Sequence, residues 1–462
     1  MRWSPPLAIL AAAALPGAAL ACALPPSIIL TLPTGHYIAG AALTVLLTAA
    51  VGIAAHRLPA MRARVLWDRP ALVAQPVTSY LGFLVFLGLI AVGFLGPRDP
   101  MHNLLTLVFW TAIWVALPLA SLLFGDLWRV VNPWVAPIRI LRVLLGIRGS
   151  IGLSRLGHLP AVVGFGLFSW FQIVSLYPED PLVLARLGAG YFLVILLLGV
   201  LEGEEWLERG EFLTVYFGYL SRIAPFWSEH RGGRVRRMAG WPGTQILTMA
   251  PLTPSAVAFV TLALAALTFD GLRETFWWLA VIGENPLEFS GRSSVMGVNT
   301  AGLLGAWVLT VVTILGALWL GRRFGVLPIG PVMLSFLAIA AGYHGAHYLV
   351  MLLTAGQYTL AALNDPLFRG DALLGLPPFY VSYGFLTDRG TMTLIWNTQF
   401  VAILGAHMLA VVLALQLTRT PRPGGGGAAA LRRDGLAHLP LTVLMVGYTV
   451  LGLWLLASPT GV

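Results

Sequence analysis

Ten apolar runs leave this chain few folds to choose from. They span residues 37–55, 77–96, 102–124, 159–176, 183–201, 251–269, 298–320, 328–354, 396–417 and 438–457, and each approaches the length that crosses a bilayer core as a helix. In hydrocarbon the backbone must satisfy its own polar groups. Only helices and closed barrels do so, and runs without polar–apolar alternation specify helices. The expected fold is therefore all-α: a polytopic transmembrane bundle of about ten spans. The charged fraction, 10%, agrees, since soluble domains carry about a quarter.

The basic residues orient the bundle. The sequence contains no lysine, which excludes a Schiff-base lysine mechanism. Of the arginines, 21 fall in one set of alternate loops, among them Arg62, Arg64, Arg139, Arg142, Arg236, Arg237 and Arg433. Only Arg98, Arg186, Arg273, Arg292, Arg369 and Arg389 fall in the other set. Alternation at every loop is the positive-inside pattern, so the net charge of +9 reports membrane orientation and not a nucleic-acid partner. Residues 1–21 have the form of a secretory signal: Arg2, an apolar core from Leu7 to Leu15, then Ala19-Leu20-Ala21 as a small-x-small cleavage site. The expected protein is a multi-pass bacterial inner-membrane protein, residues 22–462, with both mature termini periplasmic and the lipid bilayer as its first partner. The single cysteine, Cys22, excludes a disulfide framework and a thiolate metal site.

Within this apolar frame the chemistry-bearing residues are few. His344 and His347 sit three apart in the run Pro331 to Leu353 and share a helix face. His407 lies in the next run, and a rise of ~1.5 Å per residue places His344 and His407 each roughly 15 Å deep. Ionisable groups at that depth are costly and usually functional. Three imidazoles at similar depth match the ligand number of a catalytic zinc-like divalent site that keeps one position for water. The competing reading is three histidines hydrogen-bonded to carbonyls inside the bundle. The isolated His-x-x-His spacing lacks the glutamate of metallopeptidase motifs.

Two loops on the arginine-poor side are long, residues 270–297 and 355–395. The second joins the two histidine runs, so Asp365 or Asp371 is placed to serve as a base or ligand for activated water. Against this, Asn364-Asp365-Pro366 is also an ordinary turn. On the other side, Glu202, Glu204, Glu205, Glu208 and Glu211 read as a solvated helix end paired with arginines, and Asp126 and Asn132 as local caps. The stretches from Asn132 to Ile147 and from Gly210 to Phe226 read as helices lying in the membrane interface. Pro421 to Ala430, with four consecutive glycines, reads as a flexible linker.

Several stretches have the character of family signatures: Phe124 through Trp134, Gly210-Glu211-Phe212 through Gly218, Thr268-Phe269-Asp270-Gly271 and Asn364-Asp365-Pro366. With the histidine helices, they make the chain resemble the bacterial membrane proteins labelled fenitrothion hydrolase, over most of its length. That resemblance implies cleavage of organophosphate triesters and carries no set of catalytic residues. The expected function is hydrolysis of a neutral, lipophilic ester by water activated on a metal held by His344, His347 and His407. Two other classes fit the same residues: a transporter or metal-handling protein, and a haem b protein with His407 opposite His344 or His347.

Overall fold

The computed structural model describes residues 34–55, 58, 60–71, 75–288, 291–377, 381–418 and 428–459. The expected signal at 1–21, Cys22 and the linker glycines lie outside the described residues. Nine helices are long and apolar enough to cross a membrane among the described residues. They are α1 (Thr34–Ala54), α2 (Gln75–Leu95), α3 (Leu104–Phe124), α6 (Pro181–Glu202), α8 (Pro254–Arg273), α10 (Arg292–Arg322), α11 (Phe336–Asn364), α12 (Arg389–Thr418) and α13 (Ala428–Ala457). The fourth predicted span is a shorter apolar helix, α5 (Leu159–Ile173). Among the shorter helices are α4 (Val135–Leu144), α7 (Phe212–Leu220) and α9 (Phe276–Val281).

Loops of like parity in the ten-run sequence reading meet one another. At the arginine-rich end the strand Arg64–Pro70 pairs with the strand Arg234–Ala239, Arg237 donates to the Phe124 carbonyl, and Arg433 donates to the Phe324 carbonyl. At the arginine-poor end Arg98 faces Asp180, Arg292 donates to the Ser175 carbonyl, and the Phe276 amide donates to the Pro459 carbonyl. Helix α8 is the central post. Of its apolar stretch 78% is buried within the protein, against 17% for α2, which leaves α2 a lipid-facing helix.

Between helices buried in lipid, apolar contact alone gives little drive, so small residues that permit close approach matter. Helices α11 and α12 meet this way. A Cβ on Gly342 would strike Ala406 and come within 2.8 Å of the Ala402 carbonyl oxygen. One turn along, Gln399 Nε2 donates to the Ala346 carbonyl at 2.8 Å, a buried interhelical bond.

Two features depart from the sequence reading. The first is a three-stranded antiparallel sheet in order β1-β3-β2: β1 (Arg64–Pro70), β2 (Phe226–Arg231) and β3 (Arg234–Ala239). Gly232 and Gly233, both at positive φ, supply the two-residue hairpin between β2 and β3, and Asp68 of β1 accepts from Arg234 at 2.8 Å and Arg236 at 3.3 Å. The second is α7. Its Phe212, Leu213, Val215, Tyr216, Phe217 and Leu220 are all buried, so it sits inside the bundle and not in the interface. Apolar residues line most of its circumference, which is the pattern of a fully enclosed helix. The buried carboxyl of Glu211 caps it, accepting from the Leu213 and Thr214 amides and the Tyr191 hydroxyl.

Candidate functional site

The three histidines of the sequence analysis have three different environments. His344, fully buried, is committed at both ring nitrogens: Nε2 lies 3.0 Å from the Trp114 carbonyl oxygen and Nδ1 3.0 Å from the Tyr216 hydroxyl. The Trp114 carbonyl loses its usual α-helical donor for a local reason. Pro118, four residues on, has no N–H to offer Trp114, and residues Val108–Ala116 of α3 are wound as a π-helix. A carbonyl must be met by a donor, so Nε2 carries the proton and Nδ1 accepts from Tyr216. His407 donates Nδ1–H to the Ile403 carbonyl of its own helix at 2.8 Å. Its Nε2 is buried without a partner, beside a cavity of about 10 Å³ lined by Thr268, Tyr343, Tyr448 and apolar residues. That is room for about one water.

His347 is different. Its Nε2 lies 3.1 Å from Asp270 Oδ2, and 23% of its side chain is exposed. Asp270 sits one turn from the end of α8, and four donors converge on its carboxyl group. Tyr348 donates to Oδ2 at 2.8 Å, and His347 donates to the same oxygen. Gln172 of α5 reaches it at 3.4 Å, while Arg273 donates to Oδ1 at 3.2 Å. Gln172 also donates to the Tyr348 hydroxyl at 2.7 Å. Such a ring suits an ionised, acceptor-only carboxylate. Arg273 pairs in turn with Glu274 at 2.6 Å.

The chemical consequence is a histidine fixed in one tautomer. With Nε2–H given to Asp270, the lone pair is on Nδ1, which has no hydrogen-bond partner among the described residues. A carboxylate-held imidazole with one open nitrogen can take a proton from water or bind a metal ion through that nitrogen. Tyr343 stacks on the His347 ring, centroids 5.7 Å apart, and holds its plane.

Among the described residues no three or more His, Cys, Asp or Glu side chains are placed together to hold a metal ion. His344 and His407 turn away from His347 toward their own partners. Helix α11 runs on to Asn364, so the loop over the site is shorter than its predicted span. Asp365 caps the turn that follows, accepting from the Arg369 amide at 2.8 Å and the Gly370 amide at 2.7 Å. Burial raises its pKa, but these backbone donors outweigh that and hold it below the usual aspartate value. Asp371 is exposed.

Local capping is borne out for Asp126, which accepts from the Arg129 amide, and for Asn132, which accepts from the Trp134 amide. The glutamate row divides. Glu204 pairs with Arg139 and Glu208 with Arg129, whereas Glu202 is buried and accepts from the Gly152, Leu153 and Ser154 amides. The residue the sequence reading left without a role is Asp270, although it stands in one of the signature stretches. The available signal was a carboxylate placed against the end of an apolar run. Comparison with protein-family models, with curated proteins and with solved structures returns no match for this chain.

Proposed function

We propose that this membrane protein is a hydrolase in which Asp270 and His347 activate water against a neutral, lipophilic ester entering from the arginine-poor end. One observation carries the reading: a buried carboxylate fixes His347 so that its unpartnered nitrogen is the reachable one. His347 Nδ1 takes a proton from water as the oxygen attacks the ester centre, Asp270 stabilises the imidazolium that forms, and the bond from the centre to the leaving oxygen breaks as the imidazolium returns that proton to it, releasing the alcohol. Arg273, paired with Asp270 and Glu274, keeps the Asp270 carboxylate ionised for that role. An uncharged ester suits the apolar surroundings, because a charged one would have to be desolvated on entry. Resemblance to the proteins labelled fenitrothion hydrolase makes an aryl phosphotriester the first substrate to try.

A relay of protons across the membrane would use the same residues. It finds less support, because Tyr348 and His344 meet as rings at 4.8 Å with no hydrogen bond between them among the described residues.

The test is aryl alcohol release from a neutral triester and from the matching monoester, in membranes of wild type, His347→Ala, Asp270→Asn and Asp365→Asn. Triester turnover should fall by ~100-fold or more in the first two variants, the scale of a general base, and stay near wild type in Asp365→Asn. Absence of release in folded wild type removes the hydrolase reading. Metal content is measured on the same samples. One equivalent of divalent ion, lost in His347→Ala, would place the water on that ion and make His347 its ligand.

A further inference from the structure

At the opposite, arginine-rich end lies a second site with different chemistry. A cavity of about 930 Å³ opens between the sheet, the end of α3, α7 and the start of α8. Four arginines line it, Arg129, Arg209, Arg222 and Arg237, with Asp126, Glu208 and Glu229 as the acids. Two of the arginines are taken up: Arg129 faces Glu208 at 3.7 Å, and Arg237 donates to the Phe124 carbonyl and the Ser228 hydroxyl. The side chains of Arg209 and Arg222 have no hydrogen bond or ion pair among the described residues. Arg222 Nε is also shielded from solvent without an acceptor, and so is Nδ1 of His158, whose Nε2 meets the Tyr219 hydroxyl at 3.2 Å. A shielded donor left unpaired is unfavourable unless something not yet present accepts from it.

We propose that this cavity binds a phosphate-class oxyanion, with Arg209 and Arg222 as its charged ligands and His158 as a neighbouring hydrogen-bonding group. Guanidinium groups suit the oxygens of a phosphate, which they can engage in pairs. Burial and then the charge of Arg209 hold His158 below its ordinary pKa, and burial followed by the charge of Arg129 does the same to His230. Part of the wall is apolar, with Leu127, Val130, Met249 and Leu252, and part is polar, with Thr244, Gln245 and Thr248, so it can border the glycerol and upper chains of a lipid as well as a free ion. The shared chemistry is the phosphate, and the two sources are separable.

The full chain is reconstituted in nanodiscs of phosphatidylcholine alone and of phosphatidylcholine with phosphatidic acid. Lipid retained on gentle release is identified by native mass spectrometry, and inorganic phosphate is titrated calorimetrically into the phosphatidylcholine discs. Retention of phosphatidic acid over phosphatidylcholine assigns a lipid headgroup; saturable phosphate binding assigns a free ion or soluble ester. In either case Arg222→Gln should weaken binding by about tenfold or more. Arg209→Gln, at an exposed position where folding is not at stake, should weaken it in the same direction. Arg98→Gln at the far end should leave it unchanged. The absence of both lipid retention and phosphate binding in folded wild type would overturn the proposal, as would binding in the Arg209 and Arg222 variants equal to wild type.

Discussion

Asp270 and His344 illustrate two ways a polar group is kept in an apolar bundle. Asp270 gathers donors from three helices and leaves one of them, His347, with an open nitrogen. His344 is closed at both ends, its Nε2–H given to a carbonyl that Pro118 leaves unclaimed and its Nδ1 filled by the Tyr216 hydroxyl. The first arrangement has chemistry left to do, and the second is structural. That difference predicts different phenotypes. Tyr216→Phe leaves a buried acceptor without a donor and should cost about 1–3 kcal/mol of stability, read as a lowered thermal midpoint in detergent. Triester turnover per folded molecule should be unchanged. A turnover loss as large as that of His347→Ala would bring His344 into the reacting centre.

At the scale of elements, the bundle is set by contacts that hydropathy does not grade. Gly342 lets α11 settle on α12, and a methyl group there must displace the Ala402 carbonyl or separate the helices. Gly342→Ala should destabilise by about 1–3 kcal/mol, the usual cost of overpacking, and weaken the Gln399–Ala346 bond one turn away; unchanged thermal stability would contradict the close approach. The sheet at the arginine-rich end depends on charge instead. Arg234, first, and then Arg236 donate to Asp68 and lower its pKa below the ordinary 3.8. A carboxyl depressed on folding contributes stability above its unfolded pKa and loses it as pH falls through the folded value. Wild type should therefore unfold at a higher temperature than Asp68→Asn at neutral pH, and the gap should close below about pH 4. A gap that persists under acid would assign the effect of the substitution to something other than the ion pairs.

For the whole molecule, the alternation of arginine-rich and arginine-poor loops predicts that reporters fused after Arg64, Arg236 and Arg433 read as cytoplasmic. Those near Asp180, Glu284 and Asp371 should read as periplasmic. A cytoplasmic reading at Asp371 would turn the Asp270–His347 site to face the cell interior. Nine of the spans and the clustering of like loops were legible from residue order, because transfer free energy and loop charge add along a chain and need no knowledge of neighbours. Local caps such as those of Asp126 and Asn132 were legible for the same reason, their partners being two or three residues away. Pairing of distant residues was not. His347 meets its carboxylate 77 positions earlier in the chain, and Tyr216 reaches His344 across 128. Both meetings depend on how helices rotate and tilt against each other, which hydropathy leaves free because every face of a buried helix is apolar. Equal depth of His344 and His407 was a statement about height alone. Direction around each helix axis sent one to Tyr216 and the other to its own Ile403 carbonyl, and gave Asp270, unremarkable in the sequence, the central place.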